Sequence, residues 1–339
     1  MKIVPVGIIG VGSAVPEGVV GNEEVATWPG VIAIGKDGPG ILKSTGIDCR
    51  HIAKPGEMTA DFIEIAARNA LNDASLSPRD ISYILVATST PSYPLPGDSC
   101  ILQDRLGATC GASDLRVGCA GFTNALEIAN CMVATQLHSN VLVVGADELS
   151  TIVDRNDSLA MLLGDGAGAA VISRVEDGLG FRHFVSGSDG SNIQRLWIQS
   201  GGTAEPITAE AIEARTNMLR MDGRAVYDFG VEKIETSVRE LCAKLGVKLE
   251  DVGLIVPHQA NRKIIARAAV KLGLPIEKFA IDDIEFHANT SAASIGLALD
   301  RQLSNGRLKI GDLVILIGFG AGLAWSGNIG YWAYTRRVA

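Results

Sequence analysis

Three things are missing from this chain of 339 residues: a run of like charge, an apolar run long enough to span a membrane, and a Cys-x-x-Cys pair. Its 38 acidic and 30 basic residues leave a net charge of −8. Phosphate backbones and anionic membranes require clustered Lys and Arg, so neither nucleic acid nor a membrane surface is expected as a partner. The six cysteines, Cys49, Cys100, Cys110, Cys119, Cys131 and Cys242, are expected as reduced thiols, because 47% hydrophobic content supplies a core without disulfide staples. The five histidines lack zinc-type spacing, and no metal is expected. The opening Met1-Lys-Ile-Val-Pro carries one positive charge and no secretory apolar region, so a soluble cytoplasmic protein is expected. Glycine, by contrast, is abundant at 39 residues. That predicts tight strand-to-helix turns, or backbone running close to a ligand.

The stretch from Asp114 to Asn130 organises the rest. Val117 and Gly118 end an extended run, and Ala120, Leu126, Ile128 and Ala129 begin apolar positions at helical spacing, which puts Cys119 at a helix start. The helix dipole and unpaired N–H groups there favour a thiolate, as a nucleophile needs. A free cysteine is as readily a small core residue, so this stretch alone leaves both roles open.

Around it, strands are predicted at Ile3 to Gly12, Ile81 to Thr88, Asp114 to Gly118, Asn140 to Gly145 and Gly168 to Val175, and helices at Thr59 to Ala74, Asp98 to Leu106 and Ala120 to Leu137. The second half repeats the order: helices Gly223 to Leu245, Asn261 to Leu272 and Ser294 to Leu303, with strands Val252 to Pro257, Phe279 to Ile284, Asp312 to Ile317 and Ala324 to Trp332. Strands this apolar point to mostly parallel sheets covered on both faces, an α/β fold of two similar halves. Residues 1–186 form the first half, the polar residues 187–217 a connection, and residues 218–339 the second half. In open parallel sheets, ligands sit beyond the carboxyl ends of strands, where Cys119, His258 and Asn289 all fall.

Each of these has a plainer role to set beside the chemical one. His258, in Val256-Pro-His-Gln-Ala-Asn261, is placed to carry a proton or donate to a developing charge, yet a lone histidine is more often a cap or a core residue. Asn289, in Asn289-Thr-Ser-Ala-Ala-Ser294, fits ordinary loop and cap chemistry. Gly10-x-Gly12 lacks the third glycine of a dinucleotide fingerprint, and Gly164-Asp-Gly-Ala-Gly168 leads into a strand rather than a helix, so neither cradles phosphate. Gly318-Phe-Gly-Ala-Gly322 ends a strand, where its N–H groups could face a substrate oxygen.

Together, Cys119-Ala-Gly-Phe, Gly164-Asp-Gly-Ala-Gly-Ala-Ala-Val171, Val256-Pro-His-Gln-Ala-Asn261, Asn289-Thr-Ser-Ala-Ala-Ser294 and Gly318-Phe-Gly-Ala-Gly-Leu-Ala-Trp325 resemble the motifs of the 3-oxoacyl-[acyl-carrier-protein] synthase III family. The five blocks run in the family's order over nearly the whole chain. The resemblance implies a thiolase-like fold, two βαβαβαββ halves in an α-β-α-β-α body. It implies Cys119 as the nucleophile that takes an acyl group from a thioester, and His258 and Asn289 as the pair that steadies malonyl-ACP during decarboxylation. The backbone N–H groups of Cys119 and Ala321 would form the oxyanion hole, and Phe319 would pack near the departing carboxylate. Thr88, Leu95, Leu149 and Leu162 would line the acyl pocket, Leu95 being lent by one subunit of a homodimer to the other. Met221, Gly223, Tyr227, Asn261, Arg262 and Lys263 would meet the pantetheine arm and the acyl carrier protein, with Arg267 and Lys271 extending a basic patch. CoA and carrier-protein thioesters enter as substrates, with no cofactor.

The chain departs from the family where the CoA adenine is held. A Trp and an Arg expected just before Thr45-Gly-Ile47 are replaced by Gly35 to Ser44, and the second adenine-contacting Arg is replaced by Asp157-Ser158, with Arg155 displaced and Trp28 the nearest aromatic. Asp228 also stands where the carrier-protein face is usually basic. A specialised relative with an altered donor, acyl-ACP in place of acyl-CoA, is expected. The alternative is an acyltransferase that moves the acyl group to a hydroxyl or amine without decarboxylation.

Overall fold

The computed structural model describes residues 3–336; the outermost ends of the two expected halves, residues 1–2 and 337–339, lie outside the described residues. The first sheet contains β1 (Val6–Ala14), β2 (Tyr83–Ala87), β3 (Gly111–Leu115), β4 (Asn140–Glu148) and β5 (Asp165–Arg174), in spatial order β1-β5-β4-β2-β3. In the second, β6 (Gly180–Ser188), β7 (Leu254–Pro257), β8 (Leu313–Gly320) and β9 (Ala324–Tyr331) lie in the order β7-β8-β9-β6. The principal helices are α1 (Thr59–Asp73), α2 (Asp98–Leu106), α3 (Gly121–Ala134), α4 (Gly223–Leu245), α5 (Arg262–Leu272) and α6 (Ser294–Ser304).

Strand alternation sorts side chains between layers. Leu85, Val141, Val143, Ala170 and Ile172 point inward, onto Phe122, Leu126 and Ala129 of α3 and Ile295 and Leu299 of α6. Leu254, Val256, Val314 and Leu316 of the second sheet meet the same two helices from the other side. Their neighbours Ile84, Val86, Leu142 and Val144 face outward, under Ile63, Ala66 and Ala70 of α1. Ile255, Ile315 and Ile317 are covered by α4 and α5 through Ile234, Val238, Ile265 and Ala268. The result is five layers, α-β-α-β-α, with α3 and α6 at the centre.

Three expectations change. The sheets are mixed: β2 pairs in parallel with β3 and β4, and β7 with β8, whereas β1, β5, β6 and β9 pair antiparallel. Burial on both faces, not strand direction, made these strands apolar. Second, the boundary expected at 186/187 falls inside β6, which belongs to the second sheet as the partner of β9. Its one-sided pattern, with Val185 buried and the polar face outward, hid it. Third, Phe279 to Ile284 makes only a single bridge, Phe279 to Ile255, and then turns into a short helix at Ile284–His287. Asp283 drives that turn: its buried carboxylate takes His287 Nδ1 at 2.9 Å and Arg301 Nε at 3.2 Å. Among the described residues, no helix is long and apolar enough to cross a membrane.

The central layer sits close to the sheets because side chains are missing where they cross. A Cβ on Gly168 of β5 would lie 2.6 Å from Gly296 Cα and 2.8 Å from Ala293 O on α6 and the turn before it. Gly168→Ala is therefore expected to destabilise the fold by about 1–3 kcal/mol through overpacking. Gly190→Ala, where no atom lies within 4 Å, is expected to change it by less than about 0.5 kcal/mol. Urea unfolding of the two variants measures the difference.

Candidate active site

β3 ends at Leu115, three residues earlier than the Asp114-to-Gly118 strand expected, because the Asp114 carboxylate is drawn to the N–H groups of Asp98 and Ser99 at the start of α2. Gly118 then adopts a left-handed φ of 54°, which glycine tolerates and other residues resist, and a 3-10 turn over Gly118–Ala120 delivers Cys119 just before α3. α3 itself runs Gly121–Ala134, shorter than the helix expected from Ala120 to Leu137. β8 lies directly against this turn. A Cβ on Gly320 would come within 2.8 Å of Cys119 Cβ and 3.0 Å of its Sγ. The glycines of Gly318-Phe-Gly-Ala-Gly322 thus let the strand pass close to the thiol.

His258 follows β7, and its N–H extends the parallel ladder to Ile317 O at 2.7 Å. The ring is buried, edge-on to Phe319 at 5.2 Å between centroids. Its Nδ1 is 2.7 Å from Ser294 Oγ. That hydroxyl also accepts from Gln259 N–H at 3.3 Å; in the tautomer where its proton goes to Nδ1, the ring hydrogen sits on Nε2, which has no hydrogen-bond partner among the described residues. Asn289 is clamped by its main chain, donating to Leu162 O at 2.9 Å and accepting from Gly164 N–H at 3.0 Å. Its Oδ1 accepts from Ser291 N–H at 2.9 Å. Its Nδ2 has no hydrogen bond among the described residues and remains available as a donor.

Two further residues hold this constellation, and the sequence reading assigned neither a role. The Ser291 hydroxyl donates to Cys119 Sγ at 3.3 Å. The buried Asp147 carboxylate at the end of β4 accepts from Ser89 N–H at 2.6 Å, from Thr90 N–H and Oγ1 at 3.1 Å each, and from Ala292 N–H at 3.2 Å. A signal for Asp147 was present, a carboxylate pair, Asp147-Glu148, closing the apolar run Val141 to Ala146. Ser291 had none beyond its place in the Asn289 block; its φ of 50° is visible only in the fold.

The electrostatics run against the expected helix-start effect. Cys119 is half-buried, and its open side is the cavity rather than bulk water. Burial pushes its thiol up to about 12, the nearby Asp147 charge adds to this, and the Ser291 hydrogen bond opposes it. Burial alone takes His258 down to about 3. Burial thus favours the neutral thiol and the neutral imidazole over an ion pair.

Cys119, His258, Asn289, Ser291, Phe319 and Ala321 all line one cavity of about 520 Å³, a size typical of small-ligand sites. Leu149, Ile152, Leu159, Leu162 and Leu163 form one apolar wall, and Leu196, Ile198, Leu219 and Met221 another. The second wall comes from a two-stranded ribbon, Leu196–Ile198 against Leu219–Met221, in and beside the segment expected to be a mere connection.

Family models described as 3-oxoacyl-[acyl-carrier-protein (ACP)] synthase III and its C terminal match residues 113–190 and 242–332. The beta-ketoacyl-[acyl-carrier-protein] synthase III of Caldanaerobacter subterraneus subsp. tengcongensis is 38% identical over 329 residues, 96% of this chain and 98% of the relative. The chain belongs to the 3-oxoacyl-[acyl-carrier-protein] synthase III family. Solved structures agree. The Thermus thermophilus synthase III superposes with a TM-score of 0.88 at 37% identity, covering 96% of this chain and 99% of that one. The priming beta-ketosynthase of the R1128 polyketide pathway gives 0.88 at 34% identity, covering 98% and 97%. The five layers are the thiolase-like fold.

In this synthase III, Leu149, Leu162, Met221, Gly223, Tyr227 and Asn261 line the cavity. Thr88 and Leu95 do not: both line a separate surface hollow beside β3. The Thr88 hydroxyl is occupied with Asp147 at 3.3 Å and Thr90 N–H at 3.1 Å, and Leu95 is 86% exposed. Arg262 and Lys263 also lie outside, exposed at the start of α5, where the Arg262 stem packs on Gly46. Asn261 caps that helix, its Oδ1 accepting from Lys263 N–H at 2.9 Å.

Thiolate is the species that alkylates. Carbamidomethylation of Cys119, followed by peptide mass spectrometry to separate it from exposed Cys100 and Cys131, is expected to speed up about tenfold per pH unit from about pH 7 to about pH 10 with no plateau. A plateau below about pH 9 would show a histidine-activated thiolate instead.

Proposed function

We propose that the protein catalyses a decarboxylating Claisen condensation, joining an acyl thioester to malonyl-ACP to give 3-oxoacyl-ACP and CO2, in fatty acid or polyketide-type biosynthesis in the cytoplasm. The observation that carries this is the meeting, in one cavity, of a thiol, a buried imidazole and an amide, with no hydrogen bond on Nε2 or Nδ2 among the described residues. Among the described residues, no carboxylate lines that cavity to act as a base. Decarboxylation needs none, because the C–CO2 bond itself supplies the electron pair.

Acylation comes first. Cys119 Sγ attacks the donor carbonyl, its proton passes to the leaving thiolate, and the main-chain N–H groups of Cys119 and Ala321 donate to the tetrahedral oxyanion. Malonyl-ACP then places its thioester oxygen against His258 Nε2–H and Asn289 Nδ2–H. Both donors hold the negative charge of the enolate as CO2 leaves beside Phe319. The carbanion attacks the acyl carbonyl, the S–C bond to Cys119 breaks, and the sulfur regains a proton. This sequence calls on no metal or cofactor.

A carrier protein as acyl donor is supported by what stands in place of the adenine clamp. Trp28 is buried among Val25, Val31, Ile41 and Ala160, and the Arg155 guanidinium stacks on its ring at 4.7 Å. A stack that close leaves no slot for a base between the two. Arg262 and Lys263, exposed beside the cavity-lining Asn261, offer positive charge to an acidic carrier. A homodimer is supported by β3, an edge strand with one side unpaired, and by the exposed Leu95 next to it.

With malonyl-ACP labelled in its free carboxyl, wild type is expected to release labelled CO2. Cys119→Ala is expected to lose the acyl-enzyme. His258→Ala and Asn289→Ala are each expected to retain acylation and lose about 100-fold or more in CO2 release, the usual cost of one such donor. Condensation by Cys119→Ala would end the proposal, and acylation without CO2 would favour transfer to a hydroxyl or amine. For the donor, an acyl group on carrier protein is expected to acylate Cys119 at lower concentration than the same group on CoA.

A further inference from the structure

Arg116 stands three residues before Cys119, at the junction of the Cys119 cavity and the surface hollow that holds Thr88 and Leu95, and lines both. Every other side chain in the lining of the Cys119 cavity is apolar, glycine or uncharged polar at neutral pH, so Arg116 is its only permanent charge among the described residues. It is exposed, and no hydrogen bond, ion pair or ring contact engages it among the described residues. Ser89 lines that cavity too; its N–H is bound to Asp147, and its hydroxyl has no hydrogen-bond partner among the described residues. Two unengaged polar groups therefore border a cavity whose neighbouring wall is Leu149, Leu162 and Leu163.

We propose that Arg116, with Ser89, selects acyl donors whose far end is a carboxylate, that is, short ω-carboxyacyl thioesters. The inference rests on Cys119 as the acyl-bearing residue and names the acyl class for that site. Three residues of chain reach about 10 Å at most, so the Arg116 backbone lies within a short distance of Cys119 in the cavity wall that both line. The aliphatic stretch of such a group lies on the leucines, and its terminal carboxylate meets the planar N–H fork of arginine, which matches it bidentately. Placement separates this from a role with the pantetheine arm. Arg116 and Ser89 sit at strand ends of the first sheet, whereas Met221, Gly223, Tyr227 and Asn261 belong to the second half.

The experiment compares glutaryl with 5-methylhexanoyl, which has the same shape but an isopropyl group in place of the carboxylate, each on the same acyl carrier protein. Intact-protein mass spectrometry follows the rate of acyl-Cys119 formation. Wild type is expected to favour glutaryl by about tenfold or more, and Arg116→Ala to lower the glutaryl to 5-methylhexanoyl ratio by about 10- to 100-fold, the worth of one charge-assisted hydrogen bond. Arg116→Lys is expected to fall between, keeping charge without the fork. Measurable 5-methylhexanoyl acylation by Arg116→Ala certifies that the variant is folded. The proposal is overturned if wild type prefers 5-methylhexanoyl, or if Arg116→Ala slows both donors equally, as a role in subunit pairing or in holding the shared carrier arm would require. Acylation of Cys119 by neither donor on carrier protein, and by neither on CoA, overturns the Cys119 reading, and this inference with it.

Discussion

The site depends on how closely backbone approaches backbone where the two halves meet. Gly145 of β4 and Gly168 of β5 allow the Ala292–Gly296 segment to lie on the first sheet, where a Cβ on Gly145 would fall 2.2 Å from Ala292 O. Gly320 of β8 lets the second sheet touch the Cys119 turn. One contact fixes Asn289 and Ser291 relative to the first half, and the other fixes the thiol relative to the second. A side chain at any of these positions would force a shift of an ångström or so. A displacement of that size is enough to spoil hydrogen-bonded catalytic geometry, even in a variant that still folds.

Once the groups are that close, desolvation sets their charge. A helix start is worth about 0.3–1 kcal/mol to an anion, less than one pK unit. Burial takes the Cys119 thiol from 9.0 to about 12, so burial wins. The same dryness keeps His258 unprotonated and makes each neutral donor stronger toward a developing oxyanion than it would be in water. A site of neutral donors suits a reaction whose negative charge appears only as CO2 departs. A permanent cation at His258 would instead hold the malonyl carboxylate in its ground state.

What the sequence made legible follows the same physics. Chain-order motifs with strict steric demands, such as Gly164 to Gly168 and Gly318 to Gly322, were readable because only glycine satisfies them, and they led to Cys119, His258 and Asn289 in one cavity. Layer assignment was readable from apolar runs. Strand direction was not, since β5 and β8 are equally buried whether their neighbours run parallel or antiparallel. β6 and the ribbon carrying Leu196 and Leu219 escaped notice because edge elements bury only one face. Leu95 and Thr88 show a different limit. Their motif position was recognisable, but the single chain places them in a hollow outside the cavity, and only a second chain could bring Leu95 to an acyl group.

Asp147 joins these threads. Its Oδ1 gathers the loop Thr88 to Thr90, which leads within five residues to Leu95, while its Oδ2 takes the N–H of Ala292, next to the serine that contacts the thiol. Burial holds this carboxyl above the usual carboxylate range, a cost tolerable only while its hydrogen bonds stay in place. Loss of any of them would expose an unsatisfied buried oxygen or N–H, at about 1–3 kcal/mol each. The loop that leads to Leu95 and the Ser291–Ala292 segment that touches the thiol therefore share one anchor. One buried carboxylate thus ties the loop that leads to Leu95 to the segment whose serine contacts Cys119.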